Sequence, residues 1–254
     1  MVNCKKITLS NSLKLVLYRM PGTNSVTVEI GVKAGPAYEQ VENSGLAHFL
    51  EHMLFEGTKK FPSSKKLATF IEKNGGKGWA ITNKDSVSYG ARVPKGKLKT
   101  AFEYLHELVF NPLLPSRSLN NEKQMVLEEY YSKTDVPSDY IWDLWFEYLY
   151  GRKQSLGNPI TGNAQTIKKI KRKHLAAYLR NYYYPANMVA VVTGNFSFQE
   201  AKKEAAKTLS ARKAVIKIKL PKPQAINSGN VEIVDQNLKQ AHSIFGFLTD
   251  MPYK

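Results

Sequence analysis

Two histidines and one glutamate lie close together in an apolar stretch, and their types and spacing are suited to chemistry. In GLAHFLEHMLF, residues 45–55, the only ionisable or strongly polar side chains are His48, Glu51 and His52. A helix turns about 100° per residue, so it places Glu51 about −60° and His52 about +40° from His48, on one side. Burying these groups is costly unless something pairs with them. A divalent metal would do so, because imidazoles at positions i and i+4 bind it and the adjacent carboxylate can hold a water.

The alternative interpretation of this stretch is a core helix whose histidines are merely hydrogen-bonded. A lone histidine would favour that alternative, whereas the pair with Glu at i+3 and apolar flanks favours a metal site. A hydrolytic zinc site also needs a third protein ligand. The segment NEKQMVLEEYYS offers Glu122, Glu128 and Glu129, the last of them separated from His52 by residues 53–128. Glu122 lies two helical turns before Glu129, and Glu128 about 100° aside, so the residues alone leave the choice open.

The composition is that of a globular protein with a large positive charge. The 37 Lys and Arg against 21 Asp and Glu give a net charge of +16, which raises nucleic acid or an anionic membrane surface as partners. The only dense basic stretch, IKKIKRKH at residues 167–174, opens an amphipathic helix without any nucleic-acid motif. We therefore predict no nucleic-acid partner.

The sequence does not support a membrane span, an intramolecular disulfide, or a catalytic serine or cysteine nucleophile. No apolar run approaches the roughly 20 residues of a membrane span, and the start MVNCKKITLS has no apolar signal region, so a cytoplasmic location is expected. The single cysteine, Cys4, excludes an intramolecular disulfide. The chain has no G-x-S-x-G motif, and Cys4 lies in a predicted strand.

The hydrophobic spacing predicts the elements that must position the candidate site. Residues 13–20 and 24–32 read as strands around the turn Pro21-Gly22-Thr23, which is typical of a hairpin. The helix over residues 45–55 has Asn43 or Ser44 as its expected N-cap. One long strand is predicted over residues 79–93. The other predicted elements are helices over 65–73 (capped by Ser63 and Ser64), 97–110, 119–132, 140–150, 167–184 and 197–209, and a buried strand over 187–195.

The last 44 or so residues differ from the rest in composition. Residues 211–230 are rich in Lys and Pro and are predicted to be a linker after a domain over residues 1–210. Beyond it, VEIVD and HSIFGFL are strand-like, but two strands cannot form a core of their own. Residues 231–254 are therefore either an edge addition to the first domain or the opening strands of a truncated second one.

The segment AHFLEHMLFEGT resembles the M16 family of metallopeptidases, which includes pitrilysin, insulin-degrading enzyme and the mitochondrial processing peptidase. Its H-x-x-E-H is the inverted zincin signature, and in the family about 76 residues separate that motif from a further Glu. The matching position here is Glu129. Further matches, which cover most of the chain, are GG-x-x-x-A-x-T at 75–82, LEEYYSKTDVPSD, LGNPITG at 156–162 and YYYPANMVAVVTGN at 182–195.

The resemblance implies an α+β fold in which a largely antiparallel β-sheet is flanked by helices, as in LuxS/MPP-like metallohydrolase domains. It implies that His48, His52 and Glu129 hold one Zn²⁺, that Glu51 is the general base, and that Glu122 supports the site from outside the ligand set. The strand from Trp79 would pair with substrate as an added β-strand. The substrate-binding residues that the resemblance implies are Phe49, Trp79, Ala80 and Thr82.

The implied function is a zinc-dependent endopeptidase that hydrolyses peptides or unfolded protein segments through a metal-activated water. The alternative is a non-catalytic M16-like subunit that binds peptide or builds a complex. Two departures from the family stand out: Trp79-Ala80 replaces an Asn-Ala of many relatives, and full-length relatives are nearly twice as long. We therefore expect a C-terminal M16-like half or a partner chain, which in relatives supplies Arg and Tyr groups that bind substrate.

Overall fold

The computed structural model describes residues 4–209, 224–226, 229, 231–235 and 240–247. In this part of the chain one mixed sheet of six strands is flanked by eight α-helices, and four of the five strand pairings are antiparallel. The predicted α+β class with a largely antiparallel sheet is therefore confirmed. The strands are β1 (Cys4–Thr8), β2 (Lys14–Arg19), β3 (Ser25–Val32), β4 (Lys77–Thr82), β5 (Val87–Pro94) and β6 (Met188–Gly194).

The strand order is β1-β2-β6-β3-β5-β4, so the predicted hairpin of the second and third strands is wrong. Strand β6 lies between them, parallel to β2 and antiparallel to β3, and its Val191 is opposite both Val16 and Glu29. The link between β2 and β3 passes the end of β6, where the Asn195 side-chain amide donates to the carbonyls of Pro21 (2.8 Å) and Thr23 (3.1 Å). Pro21-Gly22-Thr23 thus lies in a connection that crosses the end of β6 and is not a hairpin turn.

The long strand predicted over residues 79–93 is two strands, which is a second correction. Strands β4 and β5 form an antiparallel hairpin with Thr82 opposite Val87, and Asn83 N–H donates to the Ser86 carbonyl (2.7 Å). The sequence Asn-Lys-Asp-Ser between them has the residue types that favour turns. The hairpin leaves β4 at the edge of the sheet.

The helices follow the predicted order, but one predicted helix is two helices and one predicted N-cap is wrong. They are α1 (Leu46–Phe55), α2 (Ser64–Lys73), α3 (Leu98–Phe110), α4 (Leu119–Thr134), α5 (Pro137–Tyr150), α6 (Ala164–Lys169), α7 (Arg172–Tyr182) and α8 (Phe198–Thr208). Ser63 caps α2, as predicted, by accepting from Lys66 N–H (3.3 Å). The helix predicted over 167–184 is two helices, because Ile170 and Lys171 are extended, with ψ of 131° and 154°. The N-cap of α1 is Gly45 rather than Asn43 or Ser44.

The core lies between one face of the sheet and the helices. Alternate residues of β3 and β5 are fully buried there, while the residues between them are on the opposite face. The buried side chains of the two strands are Val26, Val28, Ile30, Val32, Val87, Tyr89, Ala91 and Val93. Helix α1 packs on this face with Phe49, Leu50 and Met53 fully buried, which places its polar residues at the boundary of the core.

The C-terminal part differs from the strands predicted for it. Residues 231–235 and 241–247 form no strand ladder with any described residue, and Val231, Ile233, Phe245 and Phe247 are 86–94% exposed. A strand requires a neighbour for its backbone groups. Residue 226 instead contacts α5, since Ile226 N–H donates to the Leu149 carbonyl (2.7 Å). Most of the predicted linker lies outside the described residues.

Across the described residues, every helix is too short or too polar to pass through a bilayer.

Candidate metal centre

The two histidines of α1 lie one turn apart at the edge of the core. Their ring centroids are 4.7 Å apart, and the rings meet edge to face. His48 is buried and His52 is half-buried, so both rings are partly protected from water. Nδ1 of His48 is buried and has no hydrogen-bond partner among the described residues. Its Nε2 is therefore the nitrogen through which His48 interacts.

The carboxylate of Glu129 on α4 lies against both rings. Oε1 is 3.4 Å from Nε2 of His48, and Oε2 is 3.5 Å from Nε2 of His52. Zinc–ligand bonds of about 2.0–2.2 Å place two ligand atoms of a tetrahedral ion about 3.3 Å apart. His48, His52 and Glu129 each offer one ligand atom, and these three atoms lie within 4.8 Å of one another. Among the described residues, they are the cluster of His, Cys, Asp or Glu side chains that could hold a metal ion. The donor set fits a zinc ion.

The glutamates that the sequence left as alternatives occupy three different positions. Glu129 faces the two histidines, and its side chain is 46% exposed. Glu122 is buried two turns earlier on the same helix, with Oε2 3.2 Å from Nδ1 of His52. Glu128 is exposed to solvent. Helix α4 therefore brings Glu129 and Glu122 to opposite sides of the same imidazole.

The two carboxylates change the protonation of the site when no metal is bound. Burial alone would lower the pKa of His52, but hydrogen bonds with Glu122 and Glu129 outweigh it and raise the pKa to about 9. Hydrogen bonds with His48 and His52 hold the pKa of Glu129 well below its usual range. The metal-free centre is thus a cationic imidazole between two carboxylates, and a bound cation would replace the proton.

Glu51 lies beside this centre and is held by the neighbouring sheet. The Thr82 hydroxyl, at the end of β4, donates a hydrogen bond to Oε2 of Glu51. Glu51 is partly exposed, so its carboxylate is open to solvent as well as to Thr82. Thr82, predicted to contact substrate, contacts the predicted general base in this structure.

The other residues predicted to bind substrate lie in three different environments. Phe49 is fully buried in the core, so the prediction that it contacts substrate is wrong for this structure. Trp79 projects from the sheet face opposite the helices and covers Gly90, where an added Cβ would lie 2.1 Å from Cε2 of Trp79. Ala80 is on the same face as Thr82 and packs partly against the core.

A buried carboxylate that the sequence did not reveal fixes the start of α1. Oε2 of Glu39 accepts from Gly45 N–H (2.8 Å) and Oε1 from Ala47 N–H (2.6 Å), which satisfies two backbone donors at the helix N-terminus. Burial raises the pKa of Glu39 to about 7, although these hydrogen bonds and the charge of Lys84 act in the opposite direction. No local capping pattern places a glutamate six residues before the N-cap of its helix, so no signal in the sequence marks Glu39.

The LGNPITG segment packs against the same end of α1. Gly45 has φ of 93°, and a Cβ there would lie 2.3 Å from the Thr161 carbonyl oxygen. Gly162 approaches equally closely, because its Cβ would lie 2.3 Å from the Ser44 carbonyl oxygen. Lys84 ties the hairpin to this segment by donating to the Asn158 carbonyl (2.6 Å). The segment therefore sets the position from which α1 starts.

Comparisons with known families match nearly the whole chain. Residues 14–163 match the profile of the family described as Insulinase (Peptidase family M16). Residues 169–254 match the profile of the Peptidase M16 inactive domain.

Curated relatives carry zinc-protease names. The chain is 30% identical to an uncharacterized zinc protease of Rickettsia bellii over 239 residues, which is 94% of this chain and 57% of that protein. It is 33% identical to one of Bacillus subtilis over 193 residues, which is 76% of this chain and 47% of that protein. The chain thus spans about half the length of these relatives.

The fold recurs in solved structures. A protease from Helicobacter pylori superposes with a TM-score of 0.79 at 24% identity, covering 87% of this chain and 53% of that one. At this identity the likeness establishes the fold alone.

Proposed function

Because the chain belongs to peptidase family M16, we propose that it is a zinc-dependent endopeptidase that hydrolyses peptides or unfolded protein segments. One observation carries the proposal: the carboxylate of Glu129 lies 3.4 Å and 3.5 Å from the Nε2 atoms of His48 and His52, beside Glu51. We assign one Zn²⁺ to His48, His52 and Glu129. Glu122 orients His52 by occupying its Nδ1, which fixes Nε2 as the metal-binding nitrogen.

Each residue of the centre has a separate task in this proposal. A bound zinc ion would supply Lewis-acid polarisation of the scissile carbonyl and lower the pKa of water from 15.7 to about 7. Glu51 takes the proton from the attacking water and delivers it to the departing amine nitrogen, as a general base and then a general acid. The partial exposure of Glu51 leaves it accessible to both reactants.

The edge strand β4 supplies the surface for an extended peptide. Its inner side pairs with β5, while its outer side has no partner among the described residues. A peptide that adds to this edge would run past Thr82 and Glu51. Trp79 and Ala80 would then contact substrate through their backbone groups, with the Trp79 ring on the far face of the sheet.

A C-terminal half, or a partner chain of the same fold, completes the site in this proposal. It is supported by the relatives' lengths and by the match of residues 169–254 to the inactive-domain profile. The cytoplasmic location expected from the sequence stays a prediction.

A non-catalytic subunit that binds peptide or builds a complex is the second candidate. The inactive-domain match favours it, whereas the complete His48–His52–Glu129 set favours catalysis. The test loads the purified chain with zinc, measures the metal by elemental analysis and follows a quenched fluorescent peptide. One zinc per chain with hydrolysis that a chelator abolishes supports the peptidase. One zinc without hydrolysis, in the presence of the remaining half, would instead indicate the subunit.

A further inference from the structure

The hydrogen bond between Thr82 and Glu51 joins the edge strand to the metal-bearing helix. The Thr82 hydroxyl donates to Oε2 of Glu51, and Thr82 is the last residue of β4. Thirty residues separate the two in sequence (52–81), so only the packing of β4 against α1 brings them together. The contact engages one of the two oxygens of the Glu51 carboxylate.

The strand end that carries Thr82 is rigidly held. Thr82 is opposite Val87 in the β4–β5 ladder, and Ala80 is opposite Tyr89. Tyr89 is fully buried and its hydroxyl lies 2.7 Å from that of Tyr183, which anchors this part of the hairpin in the core. A β-branched side chain such as threonine also has few χ1 rotamers. The hydroxyl therefore has a fixed place from which to orient the carboxylate.

We propose that Thr82 is the positioning residue of Glu51: its hydroxyl holds Oε2 and leaves Oε1 directed at the attacking water. This assignment rests on the proposed function, in which Glu51 moves the proton. It differs from the sequence-based expectation that Thr82 contacts the substrate. General-base catalysis requires the carboxylate within hydrogen-bond reach of the proton that it takes, so loss of its orientation lowers the rate of the chemical step.

The test compares three variants of the zinc-loaded chain, assayed with its remaining half. Thr82→Val removes the hydroxyl at nearly constant shape, Thr82→Ser keeps it, and Thr27→Val is the matched control. Thr27 is also a strand threonine, but it lies opposite Arg92 and on the other sheet face. We expect Thr82→Val to lower kcat about 10–100-fold, which is the usual effect of removing a group that orients a site residue. The KM and the zinc affinity of Thr82→Val should stay near the parent values. The rates of Thr27→Val and Thr82→Ser should also stay near that of the parent.

A second readout does not depend on turnover. N-acetylleucine hydroxamate binds a zinc centre and passes its proton to a neighbouring carboxylate, so its affinity reports on Glu51. Thr82→Val should weaken hydroxamate binding in the parent and leave it unchanged in the Glu51→Gln background. A parent chain that, together with its remaining half, binds hydroxamate without hydrolysing peptide would contradict the proposed function, while the hydroxamate cycle would still decide the role of Thr82.

Three results would overturn the role of Thr82. The first is a Thr82→Val variant that raises KM at constant kcat, which would return the hydroxyl to substrate binding. The second is an equal loss of hydroxamate affinity with and without Glu51. The third is a Thr82→Ser rate as low as that of Thr82→Val, which would mean that the methyl group of Thr82 matters rather than its hydroxyl.

Discussion

Oε2 of Glu122 lies 3.2 Å from Nδ1 of His52, on the side of the ring opposite to Glu129. Glu122 is buried, so this carboxylate interacts with the imidazole at reduced dielectric and resists replacement by water. Because Nδ1 of His52 is engaged by Glu122, Nε2 is the nitrogen left to bind a metal. The same contact makes the metal-free protein sensitive to pH.

Replacing Glu122 should change stability in a pH-dependent manner when no metal is present. The pKa of His52 is raised to about 9 from 6.5, so its interactions stabilise the fold fully below pH 6.5 and are lost as pH rises through 9. Glu122→Gln lowers that pKa, and its destabilisation should be largest near pH 6 and fade above pH 9. Thermal unfolding in EDTA at several pH values measures it, with Glu128→Gln as control. A deficit that is constant with pH would contradict the assignment.

Zinc affinity should separate the three glutamates of α4. A carboxylate that binds the ion neutralises its charge directly, whereas Glu122 acts through His52, a role typically worth 10–100-fold in affinity. We therefore expect Glu129→Gln to weaken zinc the most, Glu122→Gln less, and the exposed Glu128→Gln hardly at all. Competition with a zinc chelator ranks them. Parent-like affinity in Glu129→Gln would remove Glu129 from the ligand set.

Much of the site follows from local rules, and the rest depends on tertiary contacts. Helical geometry alone puts His48, Glu51 and His52 on one side of α1, because residues three and four positions apart return to nearly the same direction. The assignment of Glu129 as a ligand depends on the spacing found in the M16 family, because nothing local distinguishes it from other glutamates on α4. Glu39 and Thr82 act on α1 across other elements, and their roles could not be read from neighbouring residues.

The errors in the fold have the same origin. The alternation in residues 13–20 and 24–32 shows that each is a strand but not which strand lies beside it. Strand β6 occupies the place between them from a sequence distance of more than 150 residues. The alternation on both sides of Asn83 and Asp85 predicts a single strand over 79–93 and so conceals the turn between β4 and β5.

Glu51→Gln should keep zinc and abolish hydrolysis. The amide has nearly the shape of the carboxylate and can still accept from Thr82, but it cannot take a proton from water. Glu56→Gln, at the C-terminal end of the same helix, is the control. Zinc content by elemental analysis and the rate on a quenched peptide are measured together. Cleavage at the parent rate by metal-loaded Glu51→Gln would exclude Glu51 as the base.

Gly45→Ala should damage both stability and zinc binding. Its φ of 93° costs an L-residue roughly 1–2 kcal/mol, and the new Cβ would collide with the Thr161 carbonyl. The free energy of unfolding in urea should fall by more than about 2 kcal/mol. Gly22→Ala, where no atom lies within 4 Å of the added Cβ, should change it by less than about 0.5 kcal/mol. Equal effects would show that Gly45 does not set the start of α1.

The 254-residue chain by itself should bind zinc but hydrolyse peptide slowly. It spans 57% and 47% of the two zinc-protease relatives, and we expect the remaining half to close over the site and supply groups for the transition state. Each missing oxyanion donor costs on the order of 10²–10³ in rate. Val231, Ile233, Phe245 and Phe247 are apolar and 86–94% exposed, and we expect that half to cover them. Adding a C-terminal half should raise the rate and form a heterodimer in light scattering. Rapid hydrolysis by a chain that stays monomeric would mean that the first domain is catalytically self-sufficient.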